Sequence, residues 1–155
     1  MTASTGEEPL AQALRALAQK ERSVAELGEW LRARGVGEED AGAVLEHLIA
    51  IGTLDDAHFA VRFAEDKRDL AGWGSERIRG SLLARGVGAA EVEAALAAGE
   101  ADELDRAITL LHDRGAHLGD DRSRSRAFGL LARKGFGAEL SYEAIRRAAE
   151  RPDLA

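Results

Sequence analysis

Cysteine is absent from all 155 residues. No disulfide framework, thiolate zinc site or cysteine nucleophile is available to this chain. The absence fits a reducing cytosol, and a cytoplasmic location is the expectation. Aromatic residues make up only 5%, so a core must be built mainly from Leu, Ala, Val and Ile. No apolar run approaches the ~20 residues that a membrane helix needs, so no membrane association is expected. The opening MTASTGEEPL is acidic and lacks the apolar segment of a signal peptide; residues 1–9 are expected to be a disordered N-terminus. Strand-like alternation of β-branched residues is missing throughout, while Ala and Leu abound, which favours helix. An excess of positive charge is also missing. The formal net charge of −7 argues against non-specific attachment to nucleic acid, whose phosphates attract basic proteins. The imbalance is local: residues 1–60 hold 5 Lys+Arg against 11 Asp+Glu, and the remainder 16 against 17.

What the chain does have is a repeat, a feature to be sought before any other. Leu31-Arg32-Ala33-Arg34-Gly35-Val36-Gly37 matches Leu82-Leu83-Ala84-Arg85-Gly86-Val87-Gly88. It matches again, with small changes, Leu131-Ala132-Arg133-Lys134-Gly135-Phe136-Gly137. The closing glycines stand 51 and then 49 residues apart. Each follows an amphipathic helix pattern, and each is expected to take the left-handed C-cap conformation that other residues resist. Three copies of one helix end predict three tandem three-helix repeats over residues 10–53, 54–100 and 101–151, an all-α fold.

Within the first repeat, Leu10, Ala13, Leu14 and Leu17 share a helical face. Ser23 and Glu26 have the capping-box spacing, and the helix they open runs through Leu27, Trp30 and Leu31. Glu38, Glu39 and Asp40 place acids in the first turn of a third helix, favourable to its dipole. Its apolar face is Val44, Leu45, Leu48 and Ile49. In the second repeat Asp55 or Asp56 caps a helix with Phe59, Ala60, Phe63 and Ala64 inward. Gly72-Trp73-Gly74 breaks it and Ser75 caps the next, where Ile78 and Leu82 are the buried pair. Val92, Ala95 and Leu96 face inward on the third. The third repeat uses Leu104, Ala107, Ile108 and Leu111, then a longer polar connection from Gly115 to Asp121. Ala127, Leu130 and Leu131 follow, then Leu140, Tyr142 and Ile145, and Pro152 marks the end.

Catalytic constellations are hard to assemble. His47, His58, His112 and His117 have no metal-ligand spacing and read as helix-surface histidines. The Asp55-Asp56 pair sits at a helix start, where carboxylates act as caps. Gly72-Trp73-Gly74 lacks the length and the lysine of a phosphate loop; it reads as a turn, with Trp73 packed or offered to a partner. No Ser/His/Asp arrangement is defensible, so no enzyme activity and no metal or cofactor is expected.

Basic residues recur more informatively. Arg34, Arg85 and Lys134 precede the closing glycines, where cations favour helix C-termini. Nine residues before the glycine stand Glu26, Arg77 and Arg126. Positions four apart share a helix face, so Arg77, Ser81 and Arg85 form one stripe, and Arg122, Arg126 and Lys134 its counterpart. Near a helix start positive charge is unfavourable, so Arg77, Arg122 and Arg126 suggest another use. With Arg79, Arg85, Arg124, Arg133, Lys134 and Trp73 they are the candidate partner-binding set.

The stretch Leu54–Gly88 resembles the signature of the RecX family of recombination regulators. The match is carried by Leu54-Asp55-Asp56, Phe59-Ala60, the basic-rich linker to Gly72, Arg77-Ile78, Leu82 and Arg85-Gly86-Val87. The run from Arg126 through Leu130-Leu131-Ala132-Arg133-Lys134-Gly135-Phe136 is similar to the family's third-repeat ending. The resemblance covers about Leu10 to Ala148. It implies three three-helix repeats in a curved, elongated array. It implies a noncatalytic, monomeric modulator of recombinational DNA repair and the SOS response. The implied partners are RecA and the RecA–DNA filament, with RecA's ATPase, strand exchange and filament growth inhibited. Unit one is more acidic than the family pattern, which bears on direct DNA contact more than on RecA contact. The competing readings are a direct DNA-binding helical-repeat protein, since three-helix units resemble helix-turn-helix modules, and, with least support, a helical-repeat enzyme.

Overall fold

The computed structural model describes residues 7–150. Among them the chain is all-α, with no strand and nine α-helices. These are α1 (Glu7–Gln19), α2 (Val24–Ala33), α3 (Glu38–Ala50), α4 (Asp56–Ala71), α5 (Ser75–Ala84), α6 (Ala89–Ala97), α7 (Glu103–Asp113), α8 (Asp121–Lys134) and α9 (Ala138–Glu150), with a 3₁₀ turn at Glu100–Asp102 before α7. Residues 1–6 and Pro152 lie outside the described residues. Of the residues 1–9 expected to be disordered, Glu7, Glu8 and Pro9 lie in α1. Pro9 is tolerated at its third position because the first amides of a helix have no intrahelical acceptor.

The helix ends follow local chemistry. Ser23 caps α2 by accepting the Glu26 amide at 3.1 Å, and Glu26 returns the bond by accepting the Ser23 amide at 3.0 Å. Asp55 rather than Asp56 caps α4, accepting the His58 amide at 3.1 Å. Asp120 caps α8 through the Ser123 amide at 2.7 Å. Gly35, Gly86 and Gly135 have φ of 86°, 85° and 101°, as the copied ends require.

The described residues form two compact units. One runs through Ala60 and adds Leu82–Val92; the other joins Val61–Ser81 to Glu93 and beyond. In the first, Ala13, Ala16, Leu27, Leu31, Ala41, Val44, Leu48 and Leu54 make a buried core. Leu14 and Ile49, expected inside, are 46% and 49% exposed. Each sits one residue, about 100° of helix, past a buried one, Ala13 and Leu48. In the second unit, Ala107, Leu111, Ala127, Leu131, Phe136, Ala144, Ile145 and Ala148 form the core. The buried pair expected on α5, Ile78 and Leu82, is 1% and 0% exposed.

Each unit contains one joint, and the two joints are built alike. In the first, the Ser23 hydroxyl at the start of α2 donates to the Arg85 carbonyl at the end of α5, 2.6 Å. The next amide, Val24, donates to the Asp56 carboxylate at 2.9 Å. In the second, the Gly74 amide, twelve residues before Gly86 just as Ser23 is before Gly35, donates to the Lys134 carbonyl at the end of α8, 2.8 Å. The next amide, Ser75, donates to the Glu103 carboxylate at 2.9 Å. Ser75 is therefore the first residue of α5 and not its side-chain cap. Its hydroxyl also bonds Glu103, and this carboxylate from α7 takes the capping role. Both joints bring backbones so close that only glycine fits at the closing position. A Cβ on Gly86 would overlap the Ala25 Cβ, and one on Gly135 would overlap Arg77, lying 2.7 Å from its amide nitrogen.

Candidate partner interface

The joints account for several cations that the sequence offered as partner contacts. Arg85 is half-buried and grips Glu26 with two bonds, Nε to Oε2 at 2.8 Å and Nη2 to Oε1 at 3.0 Å. Its guanidinium also lies 4.7 Å from the Phe59 ring centroid. Arg79 is held by Glu93 and Glu76, both at 2.7 Å, and these hydrogen bonds raise its affinity for its proton further. Lys134 turns inward and donates to the Ala71 carbonyl at 3.1 Å. Arg77 occupies the place in the second joint that Glu26 has in the first. It donates to the Arg133 carbonyl at 3.2 Å and lies 4.1 Å over the Trp73 ring.

Trp73 is therefore a structural centre. Phe63 meets it edge-on at 6.3 Å, Lys67 lies 4.8 Å from its centroid, and its carbonyl accepts from Arg106 at 3.0 Å. Burial lowers the affinity of the Arg106 guanidinium for its proton; the nearby Glu103 carboxylate opposes that. The local partner of Arg106 is Glu103, three residues earlier at 3.4 Å; its other partners, the α4–α5 break and Phe136, whose ring it faces at 5.7 Å, are distant in sequence and leave no local mark.

The start of α8 is different. Arg122 and Arg126 are exposed, and neither has an ion pair among the described residues; Arg126 reaches only the Ser123 hydroxyl, at 3.4 Å. Arg124 donates to the Leu118 carbonyl at 3.0 Å, leaving its charge unneutralised, and Arg133 is exposed. With Lys134, α8 carries five cations against one acid, Asp121, in a chain whose net charge is negative. Beside it, α8 and α9 enclose an open groove of about 840 Å³. Phe128 stacks on Tyr142 there with centroids 4.8 Å apart, and Tyr142 is 65% exposed. Arg124 and Arg146 flank this pair, although Arg146 is already bonded to Glu143. The sequence singled out the cations but not the aromatic pair, because Tyr142 and Phe128 are contributed by different helices.

His47, His58 and His117 are exposed and His112 is half-buried. No group of three or more potential metal ligands occurs among the described residues. No described helix is long and apolar enough to cross a membrane.

Two family models match, the first three-helix domain of RecX over residues 10–48 and the second over residues 55–96. The chain is 33% identical over 150 residues to a regulatory protein RecX of Mycolicibacterium vanbaalenii, covering 90% of this chain and 82% of that one. It is 36% identical over 130 residues to one of Xanthomonas campestris, covering 83% and 80%. The chain belongs to the RecX family. Two solved RecX structures share its fold at 21% identity. The one from Lactobacillus salivarius has a TM-score of 0.84 and covers 99% of this chain and all of that one; the other has 0.80, covering 94% and 73%. The relatives are named regulatory proteins, and this RecX chain is regulatory in that sense. The family signature residues Leu54, Phe59, Ala60, Ile78 and Leu82 are all buried. Asp55, Asp56, Gly86 and Gly135 cap helices or close joints.

Proposed function

We propose that this chain is a noncatalytic regulator that binds RecA or the RecA–DNA filament and inhibits its ATPase, strand exchange and filament growth. The observation that carries the reading is membership of the RecX family over nearly the whole chain. The disposition of charge supports it. Arg79 and Arg85 are committed to internal ion pairs, whereas the exposed arginines of α8 are free to meet an acidic protein surface or phosphate. The three-repeat division at residues 10–53, 54–100 and 101–151 belongs to the same proposal, as do a monomeric state and action in the cytoplasm. The test is RecA's DNA-dependent ATPase with and without this protein. Inhibition at low stoichiometry is expected, and unchanged hydrolysis at excess protein would refute the reading.

A second reading, direct binding of single-stranded DNA, is favoured by the exposed Phe128–Tyr142 stack beside basic α8. Bases stack on such platforms while cations track the backbone. Strong binding of free DNA with a steep salt slope, in the absence of RecA, would favour it over the first.

A further inference from the structure

The joint motif occurs three times in the sequence but is filled only twice. At Arg85-Gly86 and Lys134-Gly135 a helix start lies against the helix end. At Arg34-Gly35, the equivalent end of α2, none does among the described residues. A Cβ placed on Gly35 would meet no atom within 4 Å, whereas one on Gly86 or Gly135 would collide with the docked helix start. The Arg34 carbonyl, equivalent to the Arg85 and Lys134 carbonyls that accept from Ser23 and Gly74, accepts no bond among the described residues. Arg34 is exposed, has no carboxylate partner among them, and lies 3.7 Å over the Trp30 ring.

We propose that the Arg34–Gly35 end of α2 is a preformed docking socket for the first turn of a helix in a partner protein, one that carries an acid at the third helical position. The chemistry is copied from the first joint, where Glu26 holds that position and pairs with Arg85, while Ser23 satisfies the exposed carbonyl. Glycine at the closing position lets the incoming backbone approach as closely as α2 approaches Gly86. Cation and carboxylate attract across the contact, and Trp30 positions the guanidinium as Phe59 does for Arg85.

A second copy of this chain is the poorer occupant. The only joint position left over is at the start of α8, and it is closed. This helix begins earlier relative to its closing glycine than α2 or α5, with Asp121 at its first position. Ser123, equivalent to Ser23, is therefore buried inside the helix with its amide already bonded to Asp120. Arg126 stands where an acid is wanted. The inference is independent of whether RecA is the partner.

The probe is a synthetic peptide of residues 22–33, end-blocked and held helical by a hydrocarbon staple across the exposed Glu29 and Ala33, because this segment fills the first joint. Titrated into the ¹⁵N-labelled full chain, it should produce saturable shifts at the Arg34, Gly35 and Val36 amides. Arg34→Glu and Arg34→Gln should each weaken binding, the former by about tenfold, a size reasonable for losing and then opposing one partly exposed charge pair. A Glu26→Arg peptide should fail on the parent chain and recover on the Arg34→Glu chain. Circular dichroism confirms that both variants are folded. Shifts confined to other residues, no saturation in the millimolar range, or a charge swap without recovery would overturn the proposal. The same shifts appearing on concentrating the chain without peptide would overturn the choice of partner and assign the socket to a second copy.

Discussion

Glu26 and Arg85 lie 59 residues apart in sequence and share two hydrogen bonds of 2.8 and 3.0 Å. The same carboxylate accepts the Ser23 amide, so one side chain both closes a capping box and joins the α2 start to the α5 end. Burial raises the proton affinity of Glu26, but it is outweighed. The hydrogen bonds from Arg85 and Ser23, and the charges of Arg85 and Lys20, hold the carboxyl below its ordinary 4.5. A depressed carboxylate stabilises the fold fully above its unfolded pKa, and the contribution is lost as pH falls through the folded value.

The prediction is direct. Glu26→Gln should cost about 1.5–2 kcal/mol at pH 7, the lower part of the range for hydrogen bonds to charged groups. The difference from the parent should shrink below about pH 4.5, the ordinary glutamate value. Urea unfolding at pH 7 and pH 3.5 measures it. A penalty that stays constant across that interval would show that the ion pair contributes nothing beyond its shape.

The three closing glycines should not be equivalent. Gly35→Ala should cost about 1 kcal/mol, the left-handed strain alone, because its surroundings are open. Gly86→Ala and Gly135→Ala add a collision with Ala25 and with Arg77. The latter should cost most, because it meets backbone that cannot move aside. Urea unfolding of the three variants gives the order, and equal costs would refute the joint description.

Much of this was legible in sequence, and the boundary is a physical one. The Ser23 capping box, the Asp55 cap and the positive φ of Gly35, Gly86 and Gly135 depend on residues within four positions of each other, so local pattern shows them. The capture of the Ser75 amide by Glu103 does not, because the acceptor comes from another helix 28 residues away. Arg77 looked misplaced at a helix start for the same reason. Its compensation is the Arg133 carbonyl and the Trp73 ring, neither of which is a helical neighbour. Arg85 stands in the partner-binding set on sequence alone, and its carboxylate partner Glu26 lies 59 residues away. The α8 arginines Arg122, Arg124, Arg126 and Arg133 keep the exposure that their sequence position suggests.

Leu82→Ala should destabilise by about 2–5 kcal/mol, since a fully buried side chain loses transfer energy and leaves a cavity. Its neighbour Leu83 is 47% exposed, and Leu83→Ala should stay within about 0.5 kcal/mol. Thermal or urea unfolding of the pair tests the assignment of the α5 face, and reversal of the two results would rotate that helix.

The α8 arginines give the sharpest test of the proposed function. Arg77 is a poor probe, because reversing it would set a carboxylate against the Arg133 carbonyl and disturb the second joint. Arg122 and Arg126 are clean. Both are exposed, and both stand in the first two turns of α8, where the helix dipole disfavours cations and favours acids. Arg122→Glu/Arg126→Glu should therefore leave the melting temperature unchanged or slightly higher. If these residues face RecA or its DNA, the same variant should inhibit RecA's ATPase less, and its remaining inhibition should respond less to added salt, because screened charge attraction has been removed. Stability and function are thus expected to move in opposite directions, which a folding defect cannot mimic. A variant that is folded and inhibits as strongly as the parent, with the same salt response, would remove α8 from the interface and leave these arginines as a solvated helix face.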